Sequence, residues 1–249
     1  MASTTAHPYY PPGIEIAGYV ANTYDAWTLV AIFAAGCAVI FSITSLAVLK
    51  ARPQTPRGDL YTILWFVLCG FIHFIFEGYY TLNYTRMGRL TTIFGQLWKE
   101  YSLSDSRYLF PDAFVLSMET ITAFCWGPLS FLLPYLITTD HHLRYPLQGV
   151  VSLGQLYGDV LYYATAGFDE RVFGRSYSRP EASYFWGYFV FCNAFWIVVP
   201  AWLLWESIVV SGRAHAALKE KENEKEKGKG KTKKVVRIAT GGRERKKKA

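Results

Sequence analysis

The sequence predicts an all-α membrane protein in which five transmembrane helices surround an intramembrane cavity. Of its 249 residues, 51% are hydrophobic, and five apolar runs reach the length of about 20 residues that a helix needs to cross a bilayer. An aromatic content of 17% favours a ligand chamber lined by rings. A soluble domain of this length would keep its apolar runs shorter. The five runs are 27–49, 60–82, 113–136, 146–165 and 184–210.

The runs divide the chain into three parts. Residues 1–26 form an N-terminal segment, residues 27–210 form the five-helix domain, and residues 211–249 form a lysine-rich tail. The fourth run is the least apolar of the five because it contains Gln155 and Asp159. The tail is of low complexity, which predicts disorder. The N-terminal segment has no apolar core of signal-peptide length, so no cleavable leader is predicted.

The formal net charge of +7 belongs to the tail rather than to the body of the chain. Residues 213–249 carry 15 of the 26 basic and 5 of the 19 acidic residues, which leaves the body with 11 basic and 14 acidic residues. The body therefore carries a charge of −3, and no nucleic-acid face is predicted on it.

Basic residues in the loops predict the orientation of the chain in the membrane. Lys50, Arg52 and Arg57 follow the first run, Arg144 precedes the fourth, and the lysine-rich tail follows the fifth. In a five-helix arrangement these three segments lie on one side of the bilayer, and positive charge favours the cytosolic side. We therefore expect a non-cytosolic N-terminus and a cytosolic tail.

Two short motifs concern the cellular location and the glycosylation of the chain. The final four residues, KKKA, place lysines three and four positions from the end, which suits a retrieval signal for the endoplasmic reticulum. A lysine-rich tail also produces this match by chance. Asn83 begins a glycosylation sequon, but it ends the second run and is predicted to lie too close to the bilayer for modification.

The four cysteines are predicted to be buried free thiols. Each of them falls inside an apolar run, whereas a disulfide framework would place them in loops at paired spacings. The sequence also has no Cys/His spacing typical of a zinc site. The cysteines are Cys37, Cys69, Cys125 and Cys192.

Five ionisable residues inside the apolar runs are the candidates for chemistry. A charge at the bilayer centre costs roughly 2.5–3.5 kcal/mol, so such residues tend to face a cavity or a partner. They are His73, Glu77, Glu119, Asp159 and Glu206. Glu206 is close enough to the end of its run to reach the interface, and Asp159 is interpreted as structural or as a support for the site.

His73 and Glu77, in GFIHFIFEGYY, are four residues apart and share a helical face. Glu119 and Thr122, in METITAFCWGP, repeat this arrangement at a spacing of three. If the two faces meet, one imidazole and two carboxyl groups surround one apolar space, which is an acid–base arrangement in a dry site. The alternative is that His73 and Glu77 form only a polar clamp between helices.

Asn193 and Trp196 share a face of the fifth run, three residues apart. Most rings in this run are expected to face lipid or core. A tryptophan face can stabilise a cation, however, and an amide offers both a donor and an acceptor. The pair is therefore a second candidate element of the site.

Five motifs together resemble one known family. GFIHFIFEG, QLWKEYSLSDSRY, METITAFCWGPLS, GQLYGDVLYY and YFVFCNAFWIVVP, in this order and spacing, closely resemble the emopamil-binding protein family of sterol Δ8–Δ7 isomerases. The resemblance covers roughly residues 7–210 and is weakest in the loop at 166–181 and in the tail. It implies a five-helix fold around a sterol cavity, a homodimer, and a location in the endoplasmic reticulum membrane.

The resemblance also implies the site residues. It gives catalytic positions to His73, Glu77, Glu119, Thr122, Asn193 and Trp196, and substrate contacts to Tyr108, Trp196, Phe74 and Tyr80. The implied reaction moves a ring double bond by adding a proton at C9, forming a carbocation at C8 and removing a proton at C7. This chemistry needs no cofactor, and the sequence has neither a dinucleotide fingerprint nor a P-loop. Cationic amphiphilic amines are expected to inhibit, because an ammonium resembles the carbocation.

Three other classes of protein are alternatives to a sterol isomerase. A non-catalytic sterol or cationic-drug binder of the sigma-2-receptor type would need the cavity and one acidic anchor, but not the full set of polar residues. A proton-coupled transporter also uses intramembrane acids, although no inverted repeat is seen here. A di-iron sterol desaturase would need several histidine-rich motifs, and only His73 lies well inside a run.

Overall fold

The computed structural model describes residues 6–245, with side chains to residue 227. These residues form helices and no strands, which confirms the all-α prediction. The α-helices are α1 (Ala26–Ala51), α2 (Arg57–Gly70), α3 (Gly78–Asn83), α4 (Ile93–Tyr101), α5 (Ala113–Ile121), α6 (Gly127–Thr138), α7 (Arg144–Phe173) and α8 (Asn193–Arg245). Short 3₁₀ helices cover Tyr84–Arg89 and Ser106–Tyr108.

Four helical stretches in the described part of the chain are long and apolar enough to cross a membrane. They are Ala26–Ala51, Arg57–Arg89, Ala113–Thr138 and Ser183–Lys227. The remaining predicted run lies in α7, whose 30 residues extend about 45 Å, but several buried polar residues lower its mean hydropathy. The membrane protein class is thus confirmed, and a fifth crossing through α7 stays a prediction.

Three of the stretches contain a π-helical segment, which the sequence patterns do not predict. These segments are π1 (Phe71–Glu77), π2 (Thr122–Trp126) and π3 (Ser183–Cys192). A π-helical turn holds more residues than an α-helical turn and so rotates the following side chains to new faces, and such turns occur frequently at functional sites. Five of the predicted site residues lie in π1 or π2, or directly after π3.

Glycine allows the second and third stretches to approach each other closely. A Cβ atom on Gly127 would lie 2.8 Å from the Cβ of Phe74 and 2.9 Å from its backbone nitrogen. No larger residue fits there, so the start of α6 and π1 touch backbone to backbone. This contact brings π1 and π2 side by side.

The other helices pack around π1 and π2 to different extents. α7 packs along α8, and α2 packs against α6. α1 buries only Leu29 and Val48 and exposes most of its apolar side chains, as expected for a helix that faces lipid. The core therefore lies among α7 and the second, third and fourth stretches, with α1 at the edge.

The N-terminal segment covers α4 at one end of the bundle. The backbone and side chain of Thr23 both donate to the Gln96 carbonyl, over 2.8 and 3.0 Å, and the Lys99 ammonium donates to the carbonyl of Val20 over 2.6 Å. A fully buried ion pair joins Arg107 to Asp105 below this layer. This end of the bundle is consequently closed by polar contacts.

The predictions for the tail and for the two short motifs, KKKA and the Asn83 sequon, compare differently with the structure. The structure continues α8 to Arg245, whereas disorder was predicted after residue 210. Lysine, glutamate, alanine and leucine are strong helix formers, which favours continuation without tertiary support, and side chains 211–227 are all exposed. The KKKA motif, residues 246–249, lies outside the described residues. Asn83 is buried and its amide donates to the carbonyl of Tyr79 over 2.7 Å, which leaves it unsuited to glycosylation.

All four cysteines are free, as predicted, but the prediction that all four are buried is wrong. Only Cys69 is buried in the protein. Cys125 and Cys192 are exposed on the outer surface of apolar helices, where lipid would cover them.

Candidate active site

The predicted pair of His73 and Glu77 forms in π1. The Nδ1 atom of His73 lies 2.8 Å from Oε2 of Glu77, and the imidazole is 2% exposed. The spacing of four residues therefore brings the two groups together, as the sequence predicts. The pair is enclosed by protein rather than turned to lipid.

The far side of the imidazole meets two donors from other helices. The side-chain amide nitrogen of Gln155, in α7, lies 3.0 Å from Nε2 of His73, and the indole N–H of Trp196, in α8, donates to the same atom over 3.4 Å. An indole N–H can only donate, so Nε2 acts as the acceptor. The Nδ1–H of the ring then donates to the Glu77 carboxylate, and both nitrogens have defined roles.

Glu119 joins this pair from the third stretch. It is buried, and its Oε1 atom accepts a hydrogen bond from the Tyr108 hydroxyl over 2.6 Å. Its carboxyl group lies next to that of Glu77, close enough for the two to interact. Tyr108, Glu119, Glu77 and His73 thus form one row of adjacent polar groups, with a hydrogen bond at each end of the row. We call these four residues the proton-handling chain.

Local sequence explains how Glu119 reaches this position. The Asp112 carboxylate accepts from the backbone N–H of Val115 over 2.7 Å and so fixes the start of α5. Glu119 lies about one turn after Val115, in the last turn of α5 before π2. The close contact of Gly127 with Phe74 then holds π2 against π1, which brings the two carboxyl groups into contact.

A cluster of aromatic rings surrounds Tyr108. Its ring centroid lies 4.7 Å from Trp98, 5.0 Å from Tyr80 and 5.5 Å from Tyr101. Burial raises the pKa of the Tyr108 phenol well above its ordinary value, and the charge of Glu119 raises it further. The hydroxyl therefore stays protonated and remains a donor to Glu119.

Three of the predicted site residues make neither a hydrogen bond nor a ring contact with the proton-handling chain. The Thr122 hydroxyl donates to the backbone carbonyl of Met118 over 2.9 Å, not to Glu119. The Asn193 amide donates to the Tyr101 hydroxyl and to the Phe189 carbonyl over 3.0 and 2.7 Å. Phe74 is 43% exposed on another face of π1. Neighbouring residues on a helix point about 100° apart, so His73 and Phe74 cannot line the same wall.

Gln155 and Tyr101 are site residues that the sequence patterns miss. Gln155 touches the imidazole, and Tyr101 links Asn193 to the ring of Tyr108. A glutamine inside an apolar run was the available signal for Gln155, since a buried amide requires a polar partner. Nothing in the apolar periodicity marks Tyr101, because it lies in the separate helix α4.

The predicted sterol cavity is not seen at this place. One pocket of the structure lies beside Tyr163, Tyr177 and Phe189, and another lies against residues 6–14. Neither is lined by His73 or Glu119, so the cavity stays a prediction. Within the part of the chain that the structure describes, no group of three or more His, Cys, Asp or Glu side chains is placed to hold a metal ion.

Comparison with known proteins finds one family and several relatives that bear the same enzyme name. Residues 93–207 match the family described as EXPERA, the expanded EBP superfamily. The chain is 35% identical over 217 residues to the 3-beta-hydroxysteroid-Delta(8),Delta(7)-isomerase of Cavia porcellus, covering 84% of this chain and 91% of that protein. The enzymes of the same name from Rattus norvegicus and Mus musculus are 36% and 37% identical, and each match covers 81% of this chain and 87% of the relative.

These matches extend well beyond the segment that fits the family pattern. They cover four-fifths of the chain and nearly the whole of each relative. The resemblance predicted from the five motifs is thereby confirmed. The chain belongs to the EXPERA superfamily, the expanded EBP family.

Proposed function

We propose that this chain is a sterol Δ8-to-Δ7 isomerase that works without a cofactor. The observation that carries the proposal is the buried proton-handling chain of Tyr108, Glu119, Glu77 and His73. The mammalian relatives are named as isomerases of this specificity. The reaction adds a proton at C9, leaves a carbocation at C8 and removes a proton from C7.

The proton-handling chain suits such a transfer. Two carboxyl groups that lie side by side in a buried site hold at least one proton between them, because two negative charges so close together cannot both form. Glu77 and Glu119 therefore keep an acid available next to the His73 imidazole, which is a base in its neutral form. In the proposed mechanism Glu119 and the His73–Glu77 pair supply the acid and the base between them.

The surroundings favour a carbocation over its hydration product. His73, Tyr108 and Glu119 are buried and Glu77 is largely enclosed, whereas water at C8 would trap the cation as an alcohol. Trp196 presents the ring nearest to the imidazole, with centroids 6.1 Å apart, and its face can stabilise positive charge without bonding to it. We therefore assign cation stabilisation to Trp196.

The remaining predicted residues receive supporting roles in the proposal. Tyr108 holds Glu119, while Tyr80 supports the ring of Tyr108. Asn193 positions Tyr101 in the same aromatic cluster, and Thr122 shapes the backbone of π2 through its bond to Met118. Phe74 is given no role in the chemistry, because it lies on the outer face.

The proposed enzyme acts in the endoplasmic reticulum membrane as a homodimer, with a lumenal N-terminus and a cytosolic tail. Basic loops support this orientation, since Arg52 donates to the carbonyl of Thr138 at the end of α6, and Arg144 lies one turn before Gln148, which bonds Glu206 near the tail. Cationic amphiphilic amines are proposed as inhibitors, because an ammonium group placed near Glu77 and Glu119 would copy the charge of the carbocation.

Turnover of a defined Δ8 sterol by the purified protein in detergent tests the proposal. Formation of the Δ7 sterol with no added cofactor, followed by gas chromatography and mass spectrometry, is the expected result. A protein that binds the sterol and amphiphilic amines but forms no Δ7 product would instead be a binder. Conversion in detergent, where no membrane gradient exists, would also exclude transport as the explanation.

A further inference from the structure

Three polar side chains form a line along the buried face of α7. Gln148, Ser152 and Gln155 follow one another at spacings of four and three residues and therefore share one face. All three are buried, and Gln148 and Ser152 are fully so. From Gln148 to Gln155 the line extends about 10 Å along the helix axis. We call these three residues the polar ladder.

Each residue of the polar ladder has an oxygen atom without a partner. Oε1 of Gln148, Oγ of Ser152 and Oε1 of Gln155 are buried and have no hydrogen-bond partner among the described residues. Most buried polar atoms in proteins are hydrogen-bonded, and internal water commonly supplies the bond where protein groups do not. Three such oxygens in succession are a place where a short file of water binds.

The two ends of the polar ladder meet different groups. At one end the Gln148 amide donates to Oε2 of Glu206 over 2.9 Å, and Glu206 is partly exposed at the end from which the tail emerges. At the other end the Gln155 amide meets Nε2 of His73 over 3.0 Å. The polar ladder thus connects the surface to the imidazole of the proton-handling chain.

The same face of α7 is closed beyond His73. Asp159 and Tyr162 continue it, but the ring of Tyr162 packs beneath the buried Arg107 guanidinium, 4.9 Å from its centroid, and 5.5 Å from the ring of Phe189. Oδ2 of Asp159 and the Tyr162 hydroxyl are also buried without a partner among the described residues, so the line of unpartnered oxygens continues past Gln155 and ends at this packed ring. Solvent therefore has its polar approach at the Glu206 end, where the line reaches a partly exposed side chain.

We propose that the polar ladder is the route by which the buried site exchanges protons with bulk water, an inference that rests on the proposed isomerase function. Each turnover adds one proton at C9 and removes one from C7, so no net proton is consumed. Because the two groups that act at these carbons differ, the base must lose a proton and the acid must regain one before the next turnover. Waters held by the polar ladder carry one proton outward from His73 to Glu206 and one proton inward from Glu206 to His73.

Deuterium labelling in deuterated water tests this route. If exchange through the polar ladder is faster than turnover, the hydrogen found at C9 of the product comes from solvent. In the variants Gln148→Leu and Ser152→Val the file of water is interrupted. The proton removed from C7 then stays inside the site and is added at C9 in a later turnover. We expect the ratio of solvent-derived to substrate-derived hydrogen at C9 to fall about tenfold, which corresponds to a barrier change of about 1.4 kcal/mol.

Ser207→Ala is the matched control. Ser207 is a buried serine in the neighbouring stretch of α8, and its hydroxyl already donates to the Leu203 carbonyl over 2.8 Å. Ser152→Ala is a second, milder ladder variant that keeps the fold if valine does not. A labelling ratio that is unchanged in the ladder variants, or that falls as much in Ser207→Ala, would overturn the route. Absence of any Δ7 product from the unmodified protein would overturn the proposed function instead.

Discussion

The hydroxyl of Tyr108 donates to Oε1 of Glu119 over 2.6 Å. Tyr108 belongs to a short 3₁₀ helix outside the membrane-crossing stretches, whereas Glu119 lies inside one of them. The contact therefore links the buried acid to the polar contacts between the N-terminal segment and α4, which close one end of the bundle. It also leaves the second oxygen of Glu119 for Glu77.

Removing this hydroxyl should slow the reaction while keeping the packing. In Tyr108→Phe the ring cluster is retained and one hydrogen bond to a carboxyl group is lost, which is typically about 1.5–3 kcal/mol. We expect kcat for a Δ8 sterol to fall about 10- to 100-fold. Tyr177→Phe is the control, because it removes a hydroxyl that bonds Asp169 over 2.7 Å, away from the proton-handling chain. Equal kcat values in the two variants would count against the role of Tyr108.

Glu119→Gln should abolish most of the turnover without unfolding the protein. The amide keeps the size of the side chain and an acceptor for Tyr108 but cannot share an acidic proton with Glu77. Loss of an acid–base group typically lowers kcat roughly 10²- to 10⁴-fold. The measurement is product formation together with thermal unfolding in detergent, and turnover near that of the unmodified protein would remove Glu119 from the mechanism.

Two substitutions of Trp196 separate its two contacts. Trp196→Phe loses the N–H that donates to His73 but keeps an aromatic face, whereas Trp196→Ala loses both. If the ring stabilises the carbocation, kcat should be higher in the phenylalanine variant, because cation–π attraction is typically about 0.5–2 kcal/mol. The comparison is made at saturating sterol, and equal losses would show that the ring face is unimportant.

The pairing of His73 with Glu77 and the inward position of Trp196 could be predicted from the sequence. Both depend on the spacing of costly polar or aromatic groups within a single helix, and such spacing is local. The contacts of Asn193 with Tyr101 and of Gln155 with His73 could not, because they join helices far apart in the chain. The π-helical segments add a second obstacle, since an extra residue in a turn rotates the following side chains away from the face that α-helical periodicity assigns.

The buried ion pair of Arg107 and Asp105 should matter more for stability than an exposed one. The guanidinium is 1% exposed and also donates to the hydroxyl of Thr165 over 3.0 Å. Arg107→Met leaves the Asp105 carboxylate buried without its partner, which typically costs about 3–5 kcal/mol. Arg179→Met is the control, because its pair with Glu181 is solvent-exposed and contributes about 0–1 kcal/mol. Thermal unfolding in detergent measures both, and similar melting temperatures would contradict the assignment.

Lys99 gives the stability of the polar layer a pH dependence. Burial lowers the pKa of its ammonium group from 10.5 to about 8, although it donates to the carbonyl of Val20. Between about pH 8 and 10.5 the unfolded chain holds a proton on Lys99 that the folded chain has lost, so the free energy of unfolding rises with pH across this window. Lys99→Met should lack this rise in a pH series of melting temperatures. An identical slope in both proteins would show that Lys99 does not contribute.

The hydrogen that enters the product tests the central claim most directly. The unmodified protein, purified in detergent and given a defined Δ8 sterol in deuterated water without a cofactor, should form the Δ7 sterol with one deuterium at C9. The position is read by nuclear magnetic resonance and the number of deuterium atoms by mass spectrometry. Failure to form the Δ7 sterol, or a Δ7 product with its deuterium at a carbon other than C9, would contradict proton addition by the chain of Tyr108, Glu119, Glu77 and His73.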